Sequence, residues 1–229
     1  MTTTDEAPLL VEDLMLLLFD PRSGTIAGEG TLFYTLAGAL LTDLALQDRV
    51  AVDEGRPIVG PKVRAVGDEP PADDLLREVW QQIKDKPRGV QTVLAAAGPT
   101  LREPVLERLV QAGHVDRTRG KALGFIPTTR LSDGGSGRRD ELLAQVRPVL
   151  VDGAEPAPRV AVLAALLSAS DSLPALHHDI PWSGDVYTNG KRLERGDWGA
   201  ATVGEAVTRT AVAVAMSSVS VAIAVNPGH

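Results

Sequence analysis

Residues 9–52 constrain the fold more than any other stretch of this chain. Two apolar segments flank a Gly-containing loop, and a short strand-like run follows them. In the first segment the apolar residues 11, 14, 15 and 18 recur at helical spacing, with Glu12 and Asp13 on the opposite face. The pattern predicts a helix over about residues 9–19, closed by a turn at residues 20–24, whose Pro and Gly are typical of turns.

The second apolar segment predicts the centre of the fold. Leucines recur at i, i+4 spacing at positions 32, 36, 40 and 44, and further apolar side chains lie beside them. A helix that is apolar over so much of its surface is expected to be buried on most sides. We therefore expect this helix to be central in the core.

The remaining sequence predicts further helices and two hairpins. One hairpin is expected from residues 49–52 and 57–59, and a second from residues 114–118 and 122–126 with a turn at 119–121. Residues 179–199 read as a loop with a short helix at most. The helices are expected over about residues 73–84, 90–97, 101–112 (with a Thr100/Glu103 capping box), 138–150, 159–170 and 200–225.

The predicted fold class is mainly α: a compact single-domain helical bundle with one or two short β-hairpins. Residues 9–225 are expected to form this domain after a disordered N-terminus at residues 1–8. The longest uncharged run, Thr210–Val225, is short and rich in Ala, Val and Ser, whereas a membrane-spanning helix needs about 20 strongly apolar residues. We expect a buried C-terminal helix there.

Charge and composition limit the function classes. The chain has 229 residues, a net charge of −7 and no cysteine, which excludes disulfides and thiolate metal sites. An acidic chain has no overall attraction for nucleic acid or anionic lipid, so such binding requires a local basic patch. The polar, acidic N-terminus lacks the positive charge of a signal peptide, and the residue usage resembles that of a bacterial protein. We expect a cytoplasmic location.

The sequence contains no recognisable catalytic motif. None of the common zinc-protease, nucleophile-elbow, dinucleotide or phosphate-loop patterns occurs. The acidic pairs Asp53-Glu54 and Asp73-Asp74 suit a turn and a helix start, where the helix dipole favours negative charge. We expect no enzymatic activity, no catalytic residues, no cofactor and no metal site.

The local basic patch is found in residues 101–130. An amphipathic helix ends at Gly113, and a hairpin follows that carries Arg117, Arg119, Lys121 and Arg130 against Asp116 alone. Helix and hairpin resemble the recognition helix and wing of a winged helix, and arginine grips phosphate oxygens with two donors. Two alternatives are open: a nucleic-acid binder, which the mixed charges of the helix make less favoured, or a ligand-free interaction protein that forms oligomers through hairpin residues 114–126, with Arg117, Arg119 and Lys121.

Several blocks of the sequence are similar, in the same order, to the Golgi phosphoprotein 3 family. They are LLVEDLMLLLFDPRSG at 9–24, YTLAGALLTDLALQDRV at 34–50, PTLREPVLERLVQAGHV at 99–115 with GFIPTTRLS at 124–132, and PRVAVLAALLSASDSL at 158–173. No single block is diagnostic; the shared order carries the resemblance.

The resemblance implies a mostly helical, non-enzymatic domain that acts as a peripheral membrane adaptor. Members of that family bind phosphatidylinositol 4-phosphate on one face, associate through the hairpin and help to retain glycosyltransferases in the eukaryotic Golgi. It follows that this chain is expected to bind an anionic phospholipid head group at the cytoplasmic face of a membrane.

The head-group residues of the family are only partly matched. A loop Trp of the family falls on Gly28, an Arg of the second helix on Ala37, and the first of a later Arg pair on Pro99, while the second of that pair is kept as Arg102. A phosphate clamp needs several charge-assisted hydrogen bonds. We therefore add Arg22 and Arg88 to Arg102 as candidate lipid-binding residues, from their charge and chain order alone.

Overall fold

Two buried helices lie at the centre of the molecule. The structure is a computed structural model that describes residues 8–53, 60–122, 126–198, 207–215 and 217. Helix α1 is Leu10–Leu18 and helix α2 is Leu32–Leu46, and nearly every side chain of both is buried. Between them the short strands β1 (Phe19–Asp20) and β2 (Thr25–Ile26) pair antiparallel around the predicted turn. The prediction of a two-helix core is confirmed.

A small three-stranded sheet with two helices follows. Strands β3 (Val50–Asp53), β4 (Lys62–Ala65) and β5 (Arg88–Gly89) pair antiparallel in that order. The predicted second strand at 57–59 lies outside the described residues, and the partner of β3 is β4. Helix α3 is Asp74–Lys84 and helix α4 is Val90–Ala97. The Asp73 carboxylate accepts the N–H groups of the first turn of α3, so the predicted helix start is confirmed.

Helix α5 and a long hairpin form the next unit. A 3₁₀ turn at Gly98–Thr100 leads into α5, Arg102–Gln111. The predicted capping box is wrong, because the Thr100 hydroxyl donates to the Ala97 carbonyl oxygen at 3.1 Å instead of capping α5. After α5, Gly113 adopts the left-handed conformation (φ 71°) that a helix end favours.

The hairpin is longer than its sequence pattern indicated. Strands β6 (Val115–Ala122) and β7 (Ile126–Asp133) pair antiparallel, with Thr118 opposite Arg130. The predicted turn at residues 119–121 is wrong, since these residues are part of β6. In-register pairing satisfies ladder hydrogen bonds that a turn there would leave unmade, which outweighs the turn preference of Gly120.

The C-terminal half is helical. Helix α6 is Arg138–Val151, α7 is Pro158–Ala169 and α8 is Gly184–Glu194, with a 3₁₀ turn at Leu173–Leu176. The prediction for 179–199 was a loop with a short helix, and the helix found there is α8, with loop residues on both sides of it. The Ser183 hydroxyl caps α8, and Val186 and Leu193 are buried.

The described residues share one buried core that extends from Leu10 to Val214. Residues 207–215 are helical and largely buried, which confirms the core helix there; the rest of 200–225 lies outside the described part apart from residue 217. The mainly α class is confirmed, with three small antiparallel sheets among the described residues. The single bundle and the domain bounds stay predictions, and residues 1–7 of the predicted disordered N-terminus lie outside the described range.

Candidate anion-binding site

A cavity of about 320 Å³ lies between α5 and the β6–β7 hairpin. Three arginines reach it from two elements: Arg102 at the start of α5, and Arg117 and Arg119 on β6. We call this the arginine cavity. Its other lining residues are Gly24, Glu103, Leu106, Thr129 and Leu131.

Strand geometry explains why Arg117 and Arg119 line the same cavity. Alternate residues of a strand point to the same side of the sheet, so positions 117 and 119 share a face. Their partners across the ladder, Leu131 and Thr129, lie on that face too. The hairpin therefore presents two cationic side chains, one hydroxyl and one apolar side chain to α5.

The β1–β2 turn closes one edge of the arginine cavity. Gly24 adopts a φ of +72°, and a Cβ atom built on it would lie 2.6 Å from the carbonyl oxygen of Leu131. Glycine is needed here both for the positive φ and for the close approach of the two backbones.

Arg102 is held by Glu29, which lies in the loop before α2. Its Nη2 donates to Glu29 Oε1 at 2.8 Å and its Nε donates to Oε2 at 3.2 Å. The hydrogen bond to Glu29 raises the pKa of Arg102 further above its ordinary value, so the guanidinium is always charged. Both side chains are about half exposed, which leaves this ion pair open to exchange with a solvent anion.

The two hairpin arginines differ in their bonding. Arg117 is largely buried and its Nη1 contacts the carboxylates of Glu103 and Glu107 on α5, at 2.7 and 3.2 Å. Its Nε and Nη2 are buried, and neither has a hydrogen-bond partner among the described residues. Arg119 is exposed, and it has no ion-pair or hydrogen-bond partner in the described part of the chain.

A second, more apolar pocket of about 260 Å³ adjoins Arg102. Leu32, Phe33 and Pro99 line it, together with Gly98, Glu29 and Arg102 itself. Arg102 thus borders both pockets. The arrangement places a cationic cavity beside a surface of apolar side chains, which suits an amphipathic anion.

The other two predicted lipid-binding residues do not join Arg102. Arg22 contacts Asp20 at 3.0 Å and Asp179 at 3.6 Å, although its turn borders the arginine cavity through Gly24. Arg88 lies in β5, opposite Val63, and does not line either pocket. The side chain of Lys121 lies outside the described part.

Two of the three positions that depart from the family pattern, Gly28 and Ala37, have structural reasons. Gly28 has a φ of +70°, and an added Cβ would lie 2.3 Å from Ser172 Oγ, so a large side chain does not fit there. Ala37 is fully buried within α2, where an arginine would be costly. Pro99 lies in the apolar pocket.

Comparison with known sequences gives a family match. The sequence profile of Golgi phosphoprotein 3 (GPP34) matches residues 10–210, which is most of the chain. The chain belongs to the Golgi phosphoprotein 3 family. A search of curated proteins gives no match. The family assignment confirms the resemblance found in the sequence blocks.

Two further observations concern membrane-spanning helices and metal sites. Among the described residues, no helix has both the length and the hydrophobicity needed to cross a membrane. No group of three or more potential metal ligands is found there either.

Sequence reasoning missed the grouping of the site residues. Arg117 and Arg119 were assigned to an oligomer hairpin and Arg102 to lipid binding, whereas all three line one cavity. The alternation of 117 and 119 within a strand was a usable signal. No signal in the sequence indicated Glu29, because its contact with Arg102 joins residues that are 73 positions apart.

Proposed function

We propose that this member of the Golgi phosphoprotein 3 family is a peripheral membrane protein that binds an anionic phospholipid head group in the arginine cavity. The observation that carries the proposal is the convergence of Arg102, Arg117 and Arg119 beside an apolar pocket. Arginine forks match phosphate oxygens, and an adjoining apolar surface accommodates the glycerol and acyl part of a lipid.

Glu29 is the group that the head group must replace. Two of the three arginines are paired with carboxylates in this region, because Glu29 holds Arg102 while Glu103 and Glu107 hold Arg117. Arg119 supplies the first contact for an incoming phosphate. Exchange of Glu29 for phosphate then gives a second fork, and a phosphomonoester, such as the 4-phosphate of a phosphoinositide, carries more negative charge than one carboxylate.

The surface of α5 argues against the nucleic-acid alternative. Glu103 and Glu107 are exposed on this helix, whereas Arg117 is turned toward it with a side chain only 13% exposed. Carboxylates at the groove-facing helix repel DNA phosphates, which supply most of the affinity of such complexes. Glu103 also lines the arginine cavity, but there its carboxylate is paired with Arg117 Nη1 at 2.7 Å. Arg102 and Arg119 remain to contact a lipid head group.

The proposal also covers catalysis, cofactor use, location and self-association. The protein acts without catalysis or cofactor, at the cytoplasmic face of a membrane, and assembles with itself through residues 114–126. Arg117 and Arg119 lie in that segment and line the arginine cavity, so oligomer formation and lipid binding are expected to affect each other.

Vesicle co-sedimentation at two salt concentrations tests the proposal. The lipids are phosphatidylcholine alone, phosphatidylcholine with phosphatidylinositol 4-phosphate, and phosphatidylcholine with phosphatidylserine. Selective binding to the phosphoinositide supports a shaped pocket, while equal, salt-sensitive binding to both anionic vesicles indicates a basic surface without a pocket. Absence of binding to either anionic vesicle would overturn the proposal.

Matched arginine variants localise the site. Arg119→Ala removes a side chain that has no ion-pair partner in the described ranges, and Arg102→Ala removes the one that borders both pockets. Each charge-assisted contact contributes about 1.5–3 kcal/mol, so we expect affinity for phosphoinositide vesicles to fall about tenfold or more. Arg147→Ala on α6 is the control, because Arg147 is exposed and outside both pockets. Equal loss in all three variants would contradict the assigned site.

A further inference from the structure

A third cavity, of about 570 Å³, lies on another part of the molecule. It is bordered by the end of α7, the 3₁₀ turn at Leu173–Leu176, and α8. Its lining is mainly apolar and aromatic, with Leu173, Pro174, Trp182 and Tyr187, and its polar groups are few. A concave apolar site with a few polar groups is typical of a small-ligand pocket, and its volume falls in the range of such pockets.

The aromatic side chains of this cavity are unusually exposed. Trp182 and Tyr187 are 38% and 53% exposed, and they are two of the three large apolar side chains that are exposed in the described residues. Their rings meet edge to face with centroids 6.3 Å apart. The backbone N–H of Trp182 donates to His177 Nδ1 at 3.0 Å, which fixes the segment that carries the indole.

The positive charge at this cavity is already neutralised. Lys191 Nζ lies 2.9 and 3.0 Å from the two carboxylate oxygens of Glu194, and Ser168 Oγ donates to the same carboxylate at 2.7 Å. Glu194 is buried and its carboxylate neutralises the Lys191 ammonium, so Lys191 does not offer an open anion site. The Lys191 ammonium also lies 5.8 Å from the Tyr187 ring centroid, which places one cation against an aromatic ring here.

The remaining charge at the cavity is negative. Asp171 is exposed at the end of α7, and its carboxylate has no hydrogen-bond or ion-pair partner within the described ranges. Its φ of +57° is uncommon for a residue other than glycine, and such conformations occur often at functional sites. A free carboxylate beside a Trp and a Tyr ring is the chemistry that attracts an organic cation, since aromatic faces are electron-rich.

We propose that this aromatic cavity binds an organic ammonium group. The Asp171 carboxylate contributes the charge, and the rings of Trp182 and Tyr187 contribute cation–π contact and apolar surface. Quaternary ammonium is the class that suits the site best, because it forms no hydrogen bonds and gains from contact with aromatic rings. The ligand is either a free small molecule or the choline head group of a lipid, and the proposal is independent of the anion site.

Binding of small probes is followed by fluorescence of Trp182. The other two tryptophans, Trp80 and Trp198, are 0% and 3% exposed, so a ligand-dependent change in quenching by acrylamide reports on Trp182. The probes are choline, benzyltrimethylammonium and the neutral choline analogue 3,3-dimethyl-1-butanol. We expect saturable protection by the two cations and at least about tenfold weaker binding of the alcohol, a difference of about 1.4 kcal/mol. Equal binding of cation and alcohol, or no protection by any probe, would overturn the proposal.

Two variants separate a charged site from a merely apolar one. Asp171→Asn keeps the backbone conformation, because Asn tolerates positive φ, and it is expected to lower cation affinity about tenfold. Asp68→Asn removes an exposed carboxylate elsewhere and is expected to change nothing. Unchanged cation affinity in Asp171→Asn would refute the role of the carboxylate.

Vesicles of phosphatidylcholine and of phosphatidylglycerol identify the source of the ammonium. Competition of phosphatidylcholine vesicles with benzyltrimethylammonium indicates a lipid head group, and binding of the soluble probes alone indicates a free ligand. Both outcomes support an ammonium site, and they differ only in whether its ligand is a lipid head group or a free small molecule. Arg119→Ala is expected to leave both unaffected, so the ammonium site and the anion site succeed or fail separately.

Discussion

The carboxylate of Asp43 caps α1 at Leu10. Its Oδ1 accepts the N–H of Leu10 at 2.9 Å and its Oδ2 accepts that of Val11 at 3.3 Å, so a side chain of α2 satisfies the open end of the neighbouring helix. The residue is buried. Burial raises the pKa of Asp43 to about 7, although the Leu10 and Val11 N–H groups and the charge of Arg159 act in the opposite direction.

This buried carboxyl predicts a pH-dependent stability. The folded state binds the proton of Asp43 more tightly than the unfolded chain, where the pKa is 3.8. The stabilising contribution of protonation is therefore complete below about pH 4 and is lost as the pH rises to about 7. Each pKa unit corresponds to about 1.4 kcal/mol, so the group alone lowers stability by about 2–3 kcal/mol between pH 5 and pH 7.

Urea unfolding of the wild type and Asp43→Asn at pH 5, 6, 7 and 8 measures that contribution. Asparagine keeps an acceptor for α1 and has no proton to lose. We expect the wild type to lose stability relative to Asp43→Asn as the pH rises to 7, and the difference to level off above it. A difference that is constant across this range would show that Asp43 has an ordinary pKa.

The removal of charge at Glu29 is predicted to strengthen anion binding. In Glu29→Gln the Arg102 guanidinium no longer has an anionic partner, so a phosphate does not need to displace one. The Glu29–Arg102 pair is about half exposed and contributes at most about 1 kcal/mol to stability. We therefore expect little change in unfolding and an affinity for phosphoinositide vesicles several-fold higher.

Glu155→Gln is the matched control for this effect. Glu155 is exposed in the segment before α7, and its replacement changes the net charge by the same amount. A gain in vesicle binding in both variants would point to overall charge instead of Arg102.

Gly24→Ala is predicted to disturb the edge of the arginine cavity. The new Cβ meets the Leu131 carbonyl oxygen at 2.6 Å, and the φ of +72° is unfavourable for alanine. Together these effects are expected to cost about 1–3 kcal/mol of unfolding free energy, measured by urea unfolding. Gly30→Ala is the control in the same region, since a Cβ there meets nothing within 4 Å; an equal loss in both would rule out the contact with Leu131 as the cause.

Local patterns predicted the helices well. The four leucines of α2 that recur at i, i+4, at positions 32, 36, 40 and 44, are all buried, and Asp73 starts α3 as its position indicated. These features depend on interactions within a few residues, which the sequence shows directly. The turn at Arg119–Lys121 was wrong because strand pairing across a whole ladder overrides the preference of one glycine.

The sequence predicted the candidate site less well than it predicted the helices. Its arginines come from α5 and β6, and their grouping depends on how the hairpin packs against the helix. Buried Ala37 could have been recognised as a core position from the apolar pattern of α2 alone. The sequence did not indicate the aromatic cavity, because α8 has few apolar residues and its segment has the pattern of a loop with a short helix.

Asp13→Asn is predicted to destabilise the protein more than any surface substitution named above. Asp13 is buried on α1, and its carboxylate meets Arg138 Nη2 at 2.9 Å and Arg159 Nη2 at 2.8 Å. The two arginines lie on α6 and α7, so one carboxylate joins three helices. Removal of its charge leaves both guanidinium groups facing each other over a neutral amide. We expect the free energy of unfolding, measured with urea, to fall by about 3 kcal/mol, at the lower end for buried ion pairs because both arginines retain contact with water.

Glu141→Gln is the control for Asp13→Asn, because the 3.7 Å contact of Glu141 with Arg138 is exposed and contributes little to stability. A loss as small as that of the control would mean that packing of α1, and not its charge, holds α6 and α7 in place.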